Sequence, residues 1–110
     1  MPFKHPENDG EFRQAVVDAS AAGKKAFVQV SATWCGPCSG IKDDMAALAE
    51  EMAAKYDFVY VDVDKCESIQ EVFEVTSMPT FLVFEGMGAP KARYAGARME
   101  NIRSFATENQ

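Results

Sequence analysis

Two cysteines, Cys35 and Cys38, stand two residues apart in the stretch Ser31-Ala32-Thr33-Trp34-Cys35-Gly36-Pro37-Cys38-Ser39-Gly40-Ile41-Lys42. A pair at this spacing can be a structural disulfide, part of a metal site, or a dithiol that exchanges with other disulfides. The chain holds three cysteines, the third being Cys66. An odd, small number is not a disulfide framework. A zinc site needs about four ligands. The cysteine and histidine donors on offer are Cys35, Cys38, Cys66 and the single histidine, His5, from three separate regions. An exchange pair asks for less: one sulfur held as thiolate and a second in reach of it.

The elements around the pair favour exchange. Phe12, Ala15, Val16 and Ala19 recur at helical spacing, which predicts a helix over Glu11–Ala22 that Asn8 or Asp9 caps and Gly23 stops. Lys25–Ser31 reads as a strand with only Gln29 interrupting its apolar centre. A longer helix follows from about Cys38 to Lys55, with Ile41, Met45, Leu48 and Met52 on one face and Asp43, Asp44, Glu50 and Glu51 toward solvent. Phe58–Val63 reads as a second, buried strand, and Ser68–Phe73 as a short helix. Thr80–Glu85 and Ala92–Ala95 form a hairpin turned at Gly86 and Gly88. Met99, Ile102, Phe105 and Ala106 mark a final helix, and Phe3–His5 is a weakly signalled first strand. Strand–helix–strand crossovers followed by a hairpin predict an α/β chain with a mixed sheet and helices on both faces.

Cys35 therefore follows a strand and opens a helix. A helix start offers unpaired backbone N–H groups and a positive dipole end, and both favour thiolate over thiol. Cys35 is the expected attacking sulfur. Cys38, one turn on, is placed to resolve the mixed disulfide. Pro37 has no N–H, which the first helical turn tolerates, and it stiffens the loop; Gly36 admits a partner's backbone.

With 11 Lys and Arg against 17 Asp and Glu, the net charge is −6. That balance argues against nucleic-acid and anionic-membrane partners. The longest apolar run, Thr80–Phe84, is far too short to span a bilayer. The acidic, polar start does not read as a secretion signal, so a cytoplasmic setting is expected, where persistent structural disulfides are rare. One domain over residues 1–110 fits the length.

Trp34-Cys35-Gly36-Pro37-Cys38, with Ser77-Met78-Pro79-Thr80 some forty residues on, resembles the thioredoxin family. The resemblance extends to Phe27–Cys38, Val61–Lys65, Ser77–Gly88 and Tyr94–Ala97, nearly the whole chain, and is closest to eukaryotic cytosolic members. It implies a thioredoxin-like fold, a central mixed sheet of four to five strands flanked by about four helices. It implies a protein-disulfide reductase serving cell redox homeostasis, with Cys35 as nucleophile and Cys38 as resolving thiol. No metal or bound cofactor is implied; electrons would come from NADPH through the flavoprotein thioredoxin reductase and pass to oxidised proteins such as peroxiredoxins. A monomer is expected. Pro79 would be a cis proline, Met78 would pair its backbone with substrate, and Trp34, Met78, Pro79, Gly96 and Ala97 would form an apolar surface around the sulfurs.

The departures from the family pattern are informative. Gln29 occupies the position where the family typically has a buried Asp that helps take the proton from the second cysteine; an amide cannot do so. Tyr60 stands where some members have a charged residue near that Asp. Ser39 replaces the usual Lys, and Asp43 the frequent kinking Pro, which implies a straighter helix. Cys66 matches an extra cysteine of animal members, read here as a buried thiol in preference to a regulatory one. His5 reads as a surface residue. The rival readings are a redox adapter with slow exchange and a disulfide isomerase or oxidase.

Overall fold

The structure is a computed structural model that describes residues 3–110. Its elements in chain order are β1 (Phe3–Lys4), α1 (Asp9–Ala21), β2 (Lys25–Ser31), α2 (Gly36–Gly40), α3 (Lys42–Glu51), β3 (Tyr56–Asp62), α4 (Ile69–Val72), β4 (Thr80–Phe84), β5 (Ala92–Ala95) and α5 (Met99–Glu108). The five strands form one sheet in the order β1-β3-β2-β4-β5. β1 and β2 flank β3 in parallel, and β4 runs antiparallel to both β2 and β5.

Local chemistry sets the ends of the first helix. The Asn8 side chain accepts from the Glu11 N–H at 2.8 Å, while the Glu11 carboxylate accepts from the Glu7 N–H at 2.9 Å. At the other end Lys24 N–H reaches back to the Ala19 carbonyl and Gly23 N–H to Ser20, with Gly23 at φ +74. That pair of bonds closes a helix through a left-handed residue, which glycine adopts without strain. The chain turns there directly into β2, which is buried along nearly all its length.

The pleat of β2 divides the core in two. Val28 and Val30 meet Phe12, Val16, Val59, Val61, Leu82 and Phe84 beneath α1 and α4. Phe27 points to the opposite side, toward Met45, Leu48, Tyr56, Phe58, Phe81 and Ile102 beneath α3 and α5. Phe27 is the hub there, with ring centroids 4.9–5.9 Å from Phe58, Tyr56, Phe81 and Phe105. Arg103 of α5 forks onto Glu51 of α3 at 2.9 and 3.2 Å, an exposed contact that adds little to stability.

Two expectations are corrected. The single helix from Cys38 to Lys55 is two helices, and the straightening implied by Asp43 does not occur. Ile41 interrupts the run at φ −106, ψ 4, and its carbonyl accepts from the Met45 N–H to start α3. Gly40 weakens helix continuity just before the buried Ile41, so a proline is not needed for the break. The helix count rises to five as a result. The chain after Glu51 leaves α3 in turns, and β3 begins at Tyr56, earlier than Phe58, and ends at Asp62.

Tyr56 fixes α5 to the sheet: its hydroxyl donates to the Ala106 carbonyl at 2.7 Å, and burial pushes its pKa up to about 12 from 10.0. The folded state holds this proton more tightly than the unfolded chain does. Its contribution is complete below pH 10 and is lost as the pH rises toward 12. Tyr56→Phe is expected to cost about 1 kcal/mol at neutral pH. The variant should also lose part of the alkaline fall in stability, which denaturant titrations across that range would read.

Candidate functional site

β2 ends at Ser31, and the next turns carry Trp34 and Cys35 to the carboxyl end of the central strand. Ala32 accepts from the Cys35 N–H at 3.1 Å, which tightens this loop. Cys35 is the N-cap of α2, and Pro37 lies in the first turn, as the sequence implies. Cys35 and Cys38 are joined as a disulfide with Cα atoms 5.4 Å apart. Both residues are largely covered, at 7% and 5% exposure, while Trp34 beside them is 68% exposed.

The two sulfurs have different surroundings. The Cys38 backbone N–H donates to Cys35 Sγ at 3.3 Å. A backbone donor aimed at one sulfur stabilises the thiolate on that atom. Cys35 Sγ also lies 3.7 Å from the Met78 carbonyl oxygen, so the 78–79 segment runs directly beside the reactive atom. The Met78–Pro79 peptide is cis. Pro79 is buried and its carbonyl accepts from the Gly96 N–H at 3.1 Å. Trp34, Met78, Pro79, Gly96 and Ala97 thus come from three loops. The Met78–Pro79 loop is tied to Cys35 by contact and to Gly96 by a hydrogen bond; Met78 packs on one core cluster and Ala97 on the other.

Gly96 has a reason of its own to be glycine. Its φ is +146, and a Cβ there would lie 2.8 Å from the Tyr94 hydroxyl, which accepts from Asn101. The loop before Met78 is held from β5, where the Arg93 guanidinium donates to the carbonyls of Phe73 and Glu74. Sequence reasoning did not find Arg93, because its partners are main-chain atoms that no motif announces.

On the other side of Cys38 a cleft of about 780 Å³ opens between the sheet and α3. Cys38, Gln29, Tyr60, His5, Lys42 and Asp43 are among its walls. Gln29 is 2% exposed, and its Nε2 donates to Ser31 Oγ at 3.0 Å. Ser39 and Asp43 stand in this cleft, whereas Asp44 helps to hold the Arg103 guanidinium charged on the α5 side. His5 is exposed, as expected, but its ring lies 5.5 Å from that of Tyr60, so it belongs to the rim of the cleft.

Cys66 is fully buried, its Sγ against the carbonyls of Asn8 and Pro6 at 3.5 and 3.7 Å. Burial, helped by Asp9, Asp62, Glu11 and Glu7, pushes its thiol up to about 11. Among the described residues no group of three or more His, Cys, Asp or Glu side chains is placed to hold a metal ion, and no helix is long and apolar enough to cross a membrane.

Comparison with known proteins gives one answer. The family model described as thioredoxin matches residues 4–108. Thioredoxin from Homo sapiens is 37% identical over 106 residues, covering 96% of each chain. The Fasciola hepatica thioredoxin structure superposes with a TM-score of 0.86 at 29% identity, covering 97% of this chain and 99% of the other. A chain from a structure on thiol resolution in a yeast mitochondrial 1-Cys peroxiredoxin via glutathione and thioredoxin systems superposes with a TM-score of 0.80. It is 26% identical over 96% of this chain and 94% of its own.

Two predictions follow from the buried groups. Cys66 should resist iodoacetamide at pH 8 in the oxidised native protein and react promptly once denaturant is added. Rapid native labelling would overturn its burial. Gln29→Asp should cost about 1–3 kcal/mol, because a buried carboxyl replaces a bonded amide. Desolvation raises the folded pKa of such a group, so the deficit grows as the pH rises above about 4. Disulfide reduction near neutral pH should become faster in the same variant.

Proposed function

The chain belongs to the thioredoxin family and carries out thiol–disulfide exchange, and from that premise we propose a general protein-disulfide reductase in which Cys35 attacks and Cys38 resolves. The observation that supports this division is the single backbone N–H aimed at Cys35 Sγ. In the reduced protein it steadies negative charge on Cys35. The Cys35 thiolate attacks one sulfur of a substrate disulfide, and the bonding pair leaves on the other sulfur as thiolate. Cys38 then attacks Cys35 Sγ, the second substrate sulfur departs with its pair, and the protein holds the Cys35–Cys38 disulfide. Two electrons have passed to the substrate.

Substrate recognition in this reading uses the exposed Trp34 and the Met78–Pro79 backbone. An extended segment lies along Met78, beside the reactive sulfur, as a local strand addition. Gly36 leaves room, since a Cβ there would meet nothing within 4 Å. Gly96 and Ala97 complete the surface. The reading extends to a monomer acting as one domain over residues 1–110 in the cytoplasm. Electrons come from NADPH through thioredoxin reductase, and peroxiredoxins are among the oxidised substrates. The yeast neighbour's connection to peroxiredoxin resolution supports the last of these. The burial of Cys66 supports the monomer, because it withholds the third thiol from a partner chain.

Cys38→Ser is expected to accumulate a mixed disulfide between Cys35 and a peptide substrate, visible by mass, and Cys35→Ser to form none. The midpoint potential of the wild-type pair should fall near the thioredoxin reference of about −270 mV, far from the roughly −180 mV of protein disulfide isomerase. A value near the latter would favour the isomerase reading. Absence of any mixed disulfide would favour an adapter.

A further inference from the structure

The reaction requires Cys38 to lose a proton before it attacks, and Gln29 cannot accept one. The group that does should share the cleft with Cys38 and change charge near neutral pH. We propose that His5 takes this proton through water in the cleft, replacing the carboxylate that Gln29 displaces. This rests on the reading of Cys38 as the resolving thiol.

Three observations place His5 in that role. First, His5 and Cys38 are walls of the same 780 Å³ cleft, which is large enough to hold several waters. Second, Gln29 and Tyr60 are register partners on adjacent strands, and the His5 ring packs on Tyr60, so a row His5–Tyr60–Gln29 crosses the sheet at the floor of the cleft. Third, the Gln29 amide is fixed by its bond to Ser31, and its Oε1 is not a sealed, unpartnered atom.

The charged surroundings suit a proton acceptor. Lys42, Asp43 and Glu50 of α3 face the cleft with His5, and Glu11 and Asp18 of α1 line the adjoining depression together with Lys4 and His5. Glu7, two residues away, is turned to Lys65 at 3.2 Å. Carboxylates outnumber lysines on both sides.

The step balances as follows. Cys38 Sγ–H gives its proton to a cleft water, which passes one to the imidazole. The Cys38 thiolate attacks Cys35 Sγ, the Cys35–substrate S–S bond breaks, and the pair leaves on the substrate sulfur. The imidazolium gives its proton to solvent. When the disulfide is later reduced, a protonated His5 can return a proton to the departing Cys38 sulfur by the same route.

Single-turnover reaction of the reduced protein with excess peptide disulfide, followed by Trp34 fluorescence, tests this. The slope at low peptide reads attack by Cys35, and the plateau at saturation reads resolution by Cys38. In His5→Asn and His5→Gln the plateau should fall about tenfold at pH 7.5, less than the full worth of a general base because bulk water remains. The slope should keep its wild-type value, and Gln29→Asp added to His5→Asn should restore the plateau. A plateau that keeps its wild-type value in both His5 variants would overturn the proposal, as would a slope that falls by the same factor as the plateau. If Cys38→Ser forms no mixed disulfide, the underlying reading of Cys38 fails instead, whatever the His5 variants do.

Discussion

The confinement of β2 is the constraint on which the site depends. This strand is hydrogen-bonded on both edges, to β3 and β4, and covered on both faces by core clusters. Nothing along it can shift without breaking two ladders and two packings at once. Cys35 emerges four residues after its end, so the reactive sulfur is held by the most rigid part of the fold while the Trp34 ring beside it stays in solvent. Edge strands could not provide this, because their free side leaves register and position less determined.

From that fixed point the chemistry is made by main-chain atoms more than by charged side chains. The thiolate at Cys35 has a backbone N–H, not a lysine, since Ser39 stands at the adjacent position. α2 is only five residues long, so its dipole is small and the direct donor matters more. The group beside Cys35 Sγ at Met78 is also a backbone carbonyl, its loop held from behind by Arg93 donating to two other carbonyls and by the Gly96 N–H donating to Pro79. Main-chain groups are placed by the fold itself. The surface side chains around them can therefore vary while exchange persists.

Much of this was legible in the sequence. Lys25–Ser31 and Ala92–Ala95 have the boundaries the residues suggest, because turn chemistry punctuates them: Gly23 before the first and the Gly86–Pro90 stretch before the second. Asn8 is the helix cap, the short polar side chain doing what its type favours. The break at Ile41 was not legible. It results from the pull of a buried Ile against a weak helical position at Gly40, a tertiary effect that local periodicity cannot rank. The early start of β3 at Tyr56 has the same origin, since the hydroxyl bond to Ala106 that fixes it joins residues fifty apart. The place of His5 was hidden for a related reason. A two-residue strand has almost no pattern, and only the sheet order, which sets β1 beside β3, brings His5 to Tyr60.

The proposed route across the sheet floor would remove a buried charge without ending proton chemistry. A carboxylate at position 29 would sit close to the sulfur it serves, and it would be desolvated in every folded molecule, reacting or not. Gln29 is neutral, bonded to Ser31, and costs the fold no buried charge. A proton acceptor at the rim, as proposed for His5, would stay solvated and place the desolvation cost on none of the core. The distance this introduces must be bridged by water. The cleft is open enough to hold water, and its walls offer polar atoms from Gln29, Tyr60 and Ser39 to orient it. In that proposal stability and proton access fall to different residues, where a single buried carboxylate would have to reconcile them.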